Sequence, residues 1–222
     1  MRLFSKKESI DLTKKVEGVK KVCLTKKPLQ NLIANVGMAL DYSGSMDRLY
    51  RNGTTQEVVE NLLPLAMNFD DNGTMESWLF DDNFHRLPDI TLKNLSGYIQ
   101  RETKRYSMGG TCYAPVMRDI LNTYKNNKIP AYIIFITDGN NSDKEQTDAI
   151  IKEAANYPIF WQFVGIGNAS FDYLQALDDM TDRYVDNADF FQVDSINDIT
   201  YNKLLTEFPS WLQNPKVIEM LK

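Results

Sequence analysis

Along the chain, short unbroken apolar runs alternate with longer stretches whose apolar residues return every three or four positions. Residues 32–40 (LIANVGMAL) read as a buried strand running straight into Asp41. In residues 56–69, Val58, Val59, Leu62, Leu63, Ala66 and Phe69 fall on one helical face, with Thr54 or Thr55 placed to cap it. The DDNG at 70–73 signals a turn, and Met75–Phe80 follows as a strand. A second turn at 81–83 predicts a hairpin into a short strand over residues 84–87. Residues 93–104 predict a helix carrying Leu95, Tyr98 and Ile99. Pro115 opens another helix, with Val116, Ile120, Leu121 and Tyr124 on one face. Residues 131–136 (AYIIFI), bounded by Pro130 and Asp138-Gly139, suit a strand buried on both faces. Ser142 is placed to cap a helix ending near Asn156. A buried strand over 159–164, a helix near 171–179, a strand over 190–193 and a closing helix from about Asn197 complete the series. Strands alternating with helices in this way predict an α/β fold in three layers. It would be Rossmann-like, with a mainly parallel central sheet, helices on both faces, and the hairpin supplying one antiparallel edge strand.

Residues 1–29 break the rhythm. The first 27 residues hold nine Lys/Arg against three Asp/Glu, although the whole chain carries a net charge of −5. Lysine pairs set between Ile10, Leu12, Val16, Val19, Val22 and Leu24 predict short strands or a hairpin. That makes 1–29 a basic appendage packed on an acidic body, and 30–222 a single domain. With its lysines spaced by apolar residues, the segment is not expected to bind nucleic acid. A composition of 43% hydrophobic and 25% charged residues excludes general disorder. No apolar run approaches the ~20 residues of a membrane span, and the first residues lack the apolar core of a secretory signal. A cytoplasmic protein is expected. Cys23 and Cys112 match no ligand spacing and are expected as free thiols of a reducing compartment.

In open α/β sheets, chemistry collects in the loops beyond the carboxyl ends of the strands. The first buried strand ends in Asp41-Tyr42-Ser43-Gly44-Ser45, a D-x-S-x-S cluster, and residues 131–136 end in Thr137-Asp138-Gly139. Between them, before the Pro115 helix, lies Gly109-Gly110-Thr111. All three loops offer oxygen: carboxylates from Asp41 and Asp138, and hydroxyls from Ser43, Ser45 and Thr111. Oxygen donors with few anions suit Mg2+, which keeps part of its water shell and leaves a position for a carboxylate from elsewhere. Mn2+ or Ca2+ would also be accepted. Gly44, Gly109 and Gly110 would permit tight turns that aim the hydroxyls.

DYSGS at 41–45, the threonine of MGGT at 108–111 and the aspartate of ITDG at 136–139 resemble the metal-ion-dependent adhesion site of von Willebrand factor A domains. Their order and spacing match as well. The wider pattern (LDYSGSM, FDDNG, MGGTCY, PIFWQFVGIG and VDNADFFQVD before EFPSWL) is similar to bacterial A-domain proteins of tellurite and toxic-cation resistance systems. The resemblance implies that Ser43 and Ser45 ligate the ion directly. Asp41 and Asp138 would act mainly through water, and Thr111 either directly or through water. It also implies a protein partner whose carboxylate completes the shell; neither that partner nor the oligomeric state is given by the sequence.

Two other classes compete. A metal-dependent phosphoesterase could use Asp41 as a nucleophile, but a second aspartate is wanted two residues on, where Ser43 stands. No P-loop occurs and His85 is the single histidine, so acid–base options are thin and no catalysis is expected. A divalent-cation buffer or sensor would use the same five residues. Gly165-Ile166-Gly167 is a weak phosphate-loop signal, the three tryptophans read as core, and the acidic residues of 178–189 read as solvated positions without calcium-loop spacing.

Overall fold

A computed structural model describes the backbone of residues 6–222 and the side chains from residue 11 onward. The N-terminal helix α1 spans Lys6–Thr25. Then follow β1 (Asn35–Asp41), α2 (Asp47–Arg51), α3 (Thr54–Phe69), β2 (Met75–Phe80), β3 (Phe84–Ile90), α4 (Tyr98–Thr103) and α5 (Ala114–Tyr124). The second half holds β4 (Ala131–Thr137), α6 (Lys144–Ala154), β5 (Ile159–Ile166), α7 (Asp172–Asp178) and β6 (Ala188–Val193). Three short helices close it: α8 (Tyr201–Leu204), α9 (Phe208–Leu212) and α10 (Pro215–Met220). The closing segment is therefore broken rather than one helix. Pro209 and Pro215, each in a first turn, have no N–H to continue the preceding turn and so restart the chain.

The six strands form one sheet in the order β3-β2-β1-β4-β5-β6. Every neighbouring pair is parallel except β2–β3, which is the expected hairpin at the edge. β4 and β5 are buried at every residue, as their unbroken apolar runs demand. One face, with Met38, Leu40, Tyr132, Ile134 and Phe160, packs under α3 and the helices that close the chain. The other, with Ala39, Trp78, Ile133, Phe135 and Trp161, packs under α5, α6 and α7. All three tryptophans are buried.

The N-terminal segment departs from expectation: it is a helix, not strands or a hairpin. Leu12, Val16, Val19 and Cys23 recur at steps of four, three and four, the period of one helical stripe. Val19 and Cys23 are buried in the core cluster with α3, while the lysines of residues 20–21 face solvent. Gly18 lies against the Tyr201 ring of α8, where a Cβ would come within 3.3 Å. Residues 1–5, which the basic count includes, lie outside the described residues.

Strand order reverses between β1 and β4, since one half of the sheet grows outward from β1 and the other from β4. Such a switch point splays the following loops apart and leaves a crevice at the carboxyl edge. Asp41 ends β1, and Asp138 follows the last residue of β4. The fold thus sets the two carboxylates side by side, 97 positions apart in sequence.

Candidate metal centre

Asp41 has no exposed surface. Its Oδ1 accepts the Ser43 backbone N–H at 2.7 Å, and its Oδ2 accepts the Thr137 hydroxyl at 2.6 Å. The Tyr50 hydroxyl donates to the Asp41 carbonyl at 2.7 Å. From this anchored residue a chain of oxygens leads outward. Ser43 Oγ lies 3.1 Å from Ser45 Oγ, and the Ser45 hydroxyl donates to Asp138 Oδ1 at 2.7 Å. Asp41, Ser43, Ser45 and Asp138 therefore converge in one cluster, graded from buried at Asp41 to exposed at Ser45.

Thr111 reaches this edge through its backbone. Ser43 and Gly109 form a parallel bridge, and Gly44 N–H donates to the Gly109 carbonyl at 3.1 Å. On its far side, the Thr111 carbonyl accepts the Ser142 N–H at 2.9 Å. Its loop is thus sewn between the 41–45 and 138–142 loops, although the Thr111 hydroxyl takes no part in the hydrogen-bonded chain.

Several positioning residues were not singled out from the sequence. Asp82 accepts the Gly110 N–H at 2.8 Å, and the Asp81 carbonyl accepts Cys112 N–H at 2.8 Å, so the 81–83 turn clamps the Thr111 loop. This explains the paired glycines. Neither has a positive φ, but a Cβ on Gly109 would come within 2.6 Å of Asp82 Oδ2. Close approach, not turn geometry, sets these positions apart: a Cβ would displace the exposed Asp82 carboxylate from its bond to Gly110 N–H. Gly44 meets neither demand: its φ is not positive and the space beside it is open. Asp143, rather than Ser142, stands at the start of α6, and its carboxylate turns away to cap α5 by accepting Tyr113 N–H at 3.0 Å and Ala114 N–H at 2.8 Å. Tyr113 in turn donates to the Gly139 carbonyl at 2.5 Å and steadies the loop after β4. The Asp81-Asp82-Asn83 run was legible only as a turn, because its partners come from elsewhere in the chain.

The electrostatics follow from burial. Desolvation pushes the Asp41 carboxyl up to about 6, against the Thr137 and Ser43 hydrogen bonds that hold it down, with the Asp138 charge adding to the rise. Desolvation also raises Asp138, opposed by its bond from Ser45. Among the described residues, no Lys or Arg forms an ion pair with either. Two partly desolvated carboxylates linked through two hydroxyls, with no neighbouring base, are the donor set a hard divalent ion suits.

The other candidates resolve as packing. His85 stacks on Tyr106 with ring centroids 3.9 Å apart. Gly165 lies inside β5, where a Cβ would come within 2.8 Å of the Phe171 ring, and Gly167 takes φ +100° at the turn. The G-I-G sequence therefore serves close packing and a turn. Cys23 and Cys112 are both free.

A doubly wound sheet of this order, with its polar cluster in the crevice between β1 and β4, is the architecture of von Willebrand factor A (vWA) domains. The chain belongs to the vWA-TerF-like family, the vWA found in the TerF C terminus, which matches over residues 33–220. YcbR of Bacillus subtilis (strain 168) is 42% identical over 219 residues, which cover 94% of this chain and 88% of YcbR. A vWA domain-containing protein of Dictyostelium discoideum is 35% identical over 89 residues, 40% of this chain and 9% of that protein. Among solved structures, BatB from Bacteroides thetaiotaomicron shares the fold with a TM-score of 0.53 at 15% identity, over 84% of this chain and 98% of BatB. No helix among the described residues is long and apolar enough to cross a membrane.

Proposed function

We propose that the protein is a non-catalytic interaction module that captures a partner through a divalent cation. Ser43 and Ser45 would hold the ion by their hydroxyls, joined by Thr111, while Asp41 and Asp138 supply the balancing charge. Mg2+ is the preferred ion, with Mn2+ or Ca2+ accepted. The ion supplies an electron-poor position at which a partner's Asp or Glu carboxylate binds. The observation that carries this reading is the convergence of Asp41, Ser43, Ser45 and Asp138 through hydrogen bonds of 2.7 to 3.1 Å at the switch point of the sheet. Two carboxylates give the ion few anions, which favours recruiting a third from outside.

The same geometry speaks against a hydrolase. Asp41 is fully buried with both carboxylate oxygens hydrogen-bonded, a poor posture for a nucleophile, and His85 is committed to its stack on Tyr106. The match to the TerF vWA supports a role in a bacterial tellurite or stress-resistance system, where the partner would be another protein of that system. A cation buffer or sensor would need only the ion; the clamped Thr111 loop and the exposed Ser45 support a docking surface as well.

The test is capture from native cell extract with the full chain as bait, in magnesium or in chelator. The expected result is a partner retained only with magnesium and lost with Ser43→Ala bait. A partner held equally in chelator would contradict the reading.

A further inference from the structure

A second group of oxygens lies at the other side of the sheet. Asp189, near the start of β6, pairs with Gln162 of β5, which is level with Ile134 and Met38. That places it three strands from β1, roughly 15 Å across at ~4.8 Å per strand, and below the level of Asp41. Asp178 ends α7, and Glu207 stands at the start of α9. The fold gathers one carboxylate oxygen from each of the three to within 4.8 Å of one another.

Asp189 is only 7% exposed, and its Oδ2 is buried without a hydrogen-bond partner. A buried anionic oxygen left unmatched is among the costlier features a fold can keep. The nearby base does not match it. Arg183, its side chain 1% exposed, gives Nε to the Met180 carbonyl at 2.9 Å and Nη1 to Asn187 Oδ1 at 3.2 Å. Its Nη2 goes to the Asp178 carbonyl and to Asp186 Oδ1, both at 2.7 Å. None of these bonds reaches the carboxylates of Asp178, Asp189 or Glu207. Burial first, then the Asp189 and Glu207 charges, push Asp178 up to about 7. Burial raises Asp189 against hydrogen bonds from Gln162 and Phe190. Burial with the Asp189 and Asp186 charges raises Glu207, which the Arg183 charge partly offsets. An open cleft of about 460 Å³ adjoins Glu207, with Phe160, Asp186, Thr206, Ser210, Trp211 and Asn214 as its other walls, so the group is reached from the Glu207 side.

We propose that Asp178, Asp189 and Glu207 form a second divalent-cation site, selective for Ca2+, that ties α7 and α9 to β6. The donor set favours calcium, which accepts several carboxylates in an irregular shell, whereas Mg2+ demands a regular octahedron and usually takes one or two. Three carboxylates also give a more anionic site than the two of the first centre, and the cleft beside Glu207 leaves that side open for waters to complete a calcium shell. Bound calcium removes the repulsion among three acids and fixes the C-terminal helices against the sheet.

The experiment is calorimetry and thermal melting of the full chain with Ca2+ alone, at neutral pH. In Ser43→Ala plus Asp138→Ala, which disables the first centre, one Ca2+ per chain and a raised melting temperature are expected. Adding Glu207→Gln, at an exposed position that leaves the core untouched, should weaken that binding at least tenfold, and Asp189→Asn should abolish it. In the otherwise wild-type chain, Glu207→Gln should lower the Ca2+ stoichiometry from two to one and leave magnesium-dependent capture intact, so the two sites fail independently. Absence of Ca2+ binding once the first centre is disabled, or affinity unchanged by Glu207→Gln, would overturn the proposal.

Discussion

At the scale of single residues, the centre depends on Asp41 being held before any ion arrives. The fully buried carboxylate is held by the Ser43 N–H on Oδ1 and the Thr137 hydroxyl on Oδ2, with Thr137 the leading side-chain donor. Thr137→Val keeps the shape and removes that donor, leaving a buried carboxylate oxygen unmatched. The expected cost is about 1–3 kcal/mol in the metal-free protein, read as a lowered urea midpoint with unchanged slope. An unchanged midpoint would mean that Asp41 is not anchored in this way. The aspartates and serines of the centre were legible in the sequence because each follows a buried strand in a recognisable cluster. Thr137, Asp82 and Asp143 were not, since each acts on a segment distant in sequence and looks locally like a strand end or a turn.

Elements show where residue type misleads and spacing decides. Val16, Val19 and Val22 favour strands by type, but the four-three-four spacing from Leu12 to Cys23 puts a stripe on one helical face, and burial against α3 decides for the helix. Val19→Ala removes two buried carbons worth ~0.8 kcal/mol each, so a loss of about 1.5 kcal/mol is expected, together with faster tryptic cleavage at Lys20 and Lys21. Cleavage as fast in the wild type would show α1 to be undocked. The hairpin offers a pH test. Burial first, then the Asp89 charge, push Glu76 of β2 up to about 7, and Arg86, at 3.7 Å and half exposed, only partly offsets them. A carboxyl raised above its unfolded value of about 4.5 binds its proton more tightly when folded, so it favours the fold at low pH. Its contribution should fall away as pH rises from about 4.5 through about 7. Glu76→Gln should flatten stability over that window and make the protein more stable at pH 8. A variant with the wild-type slope would remove Glu76 from the account.

Over the whole molecule, strand order governs where chemistry can occur. The reversal between β1 and β4 brings Asp41 beside Asp138 and, with the clamp from the 81–83 turn, lays the Thr111 loop across them. The alternation of strands and helices was enough to anticipate that edge, because parallel strands joined by helices put all their following loops on one side. The Asp178, Asp189 and Glu207 group could not be anticipated, since a helix end, a strand start and a helix start meet only in the folded chain. The most direct test of the central claim is a magnesium titration of the wild type, of Ser43→Ala plus Asp138→Ala, and of Glu207→Gln. One magnesium-binding event is expected in the wild type, abolished in the double variant and preserved in Glu207→Gln. Absence of magnesium binding by the wild-type protein, or equal binding by the double variant, would contradict a metal centre at the β1–β4 edge.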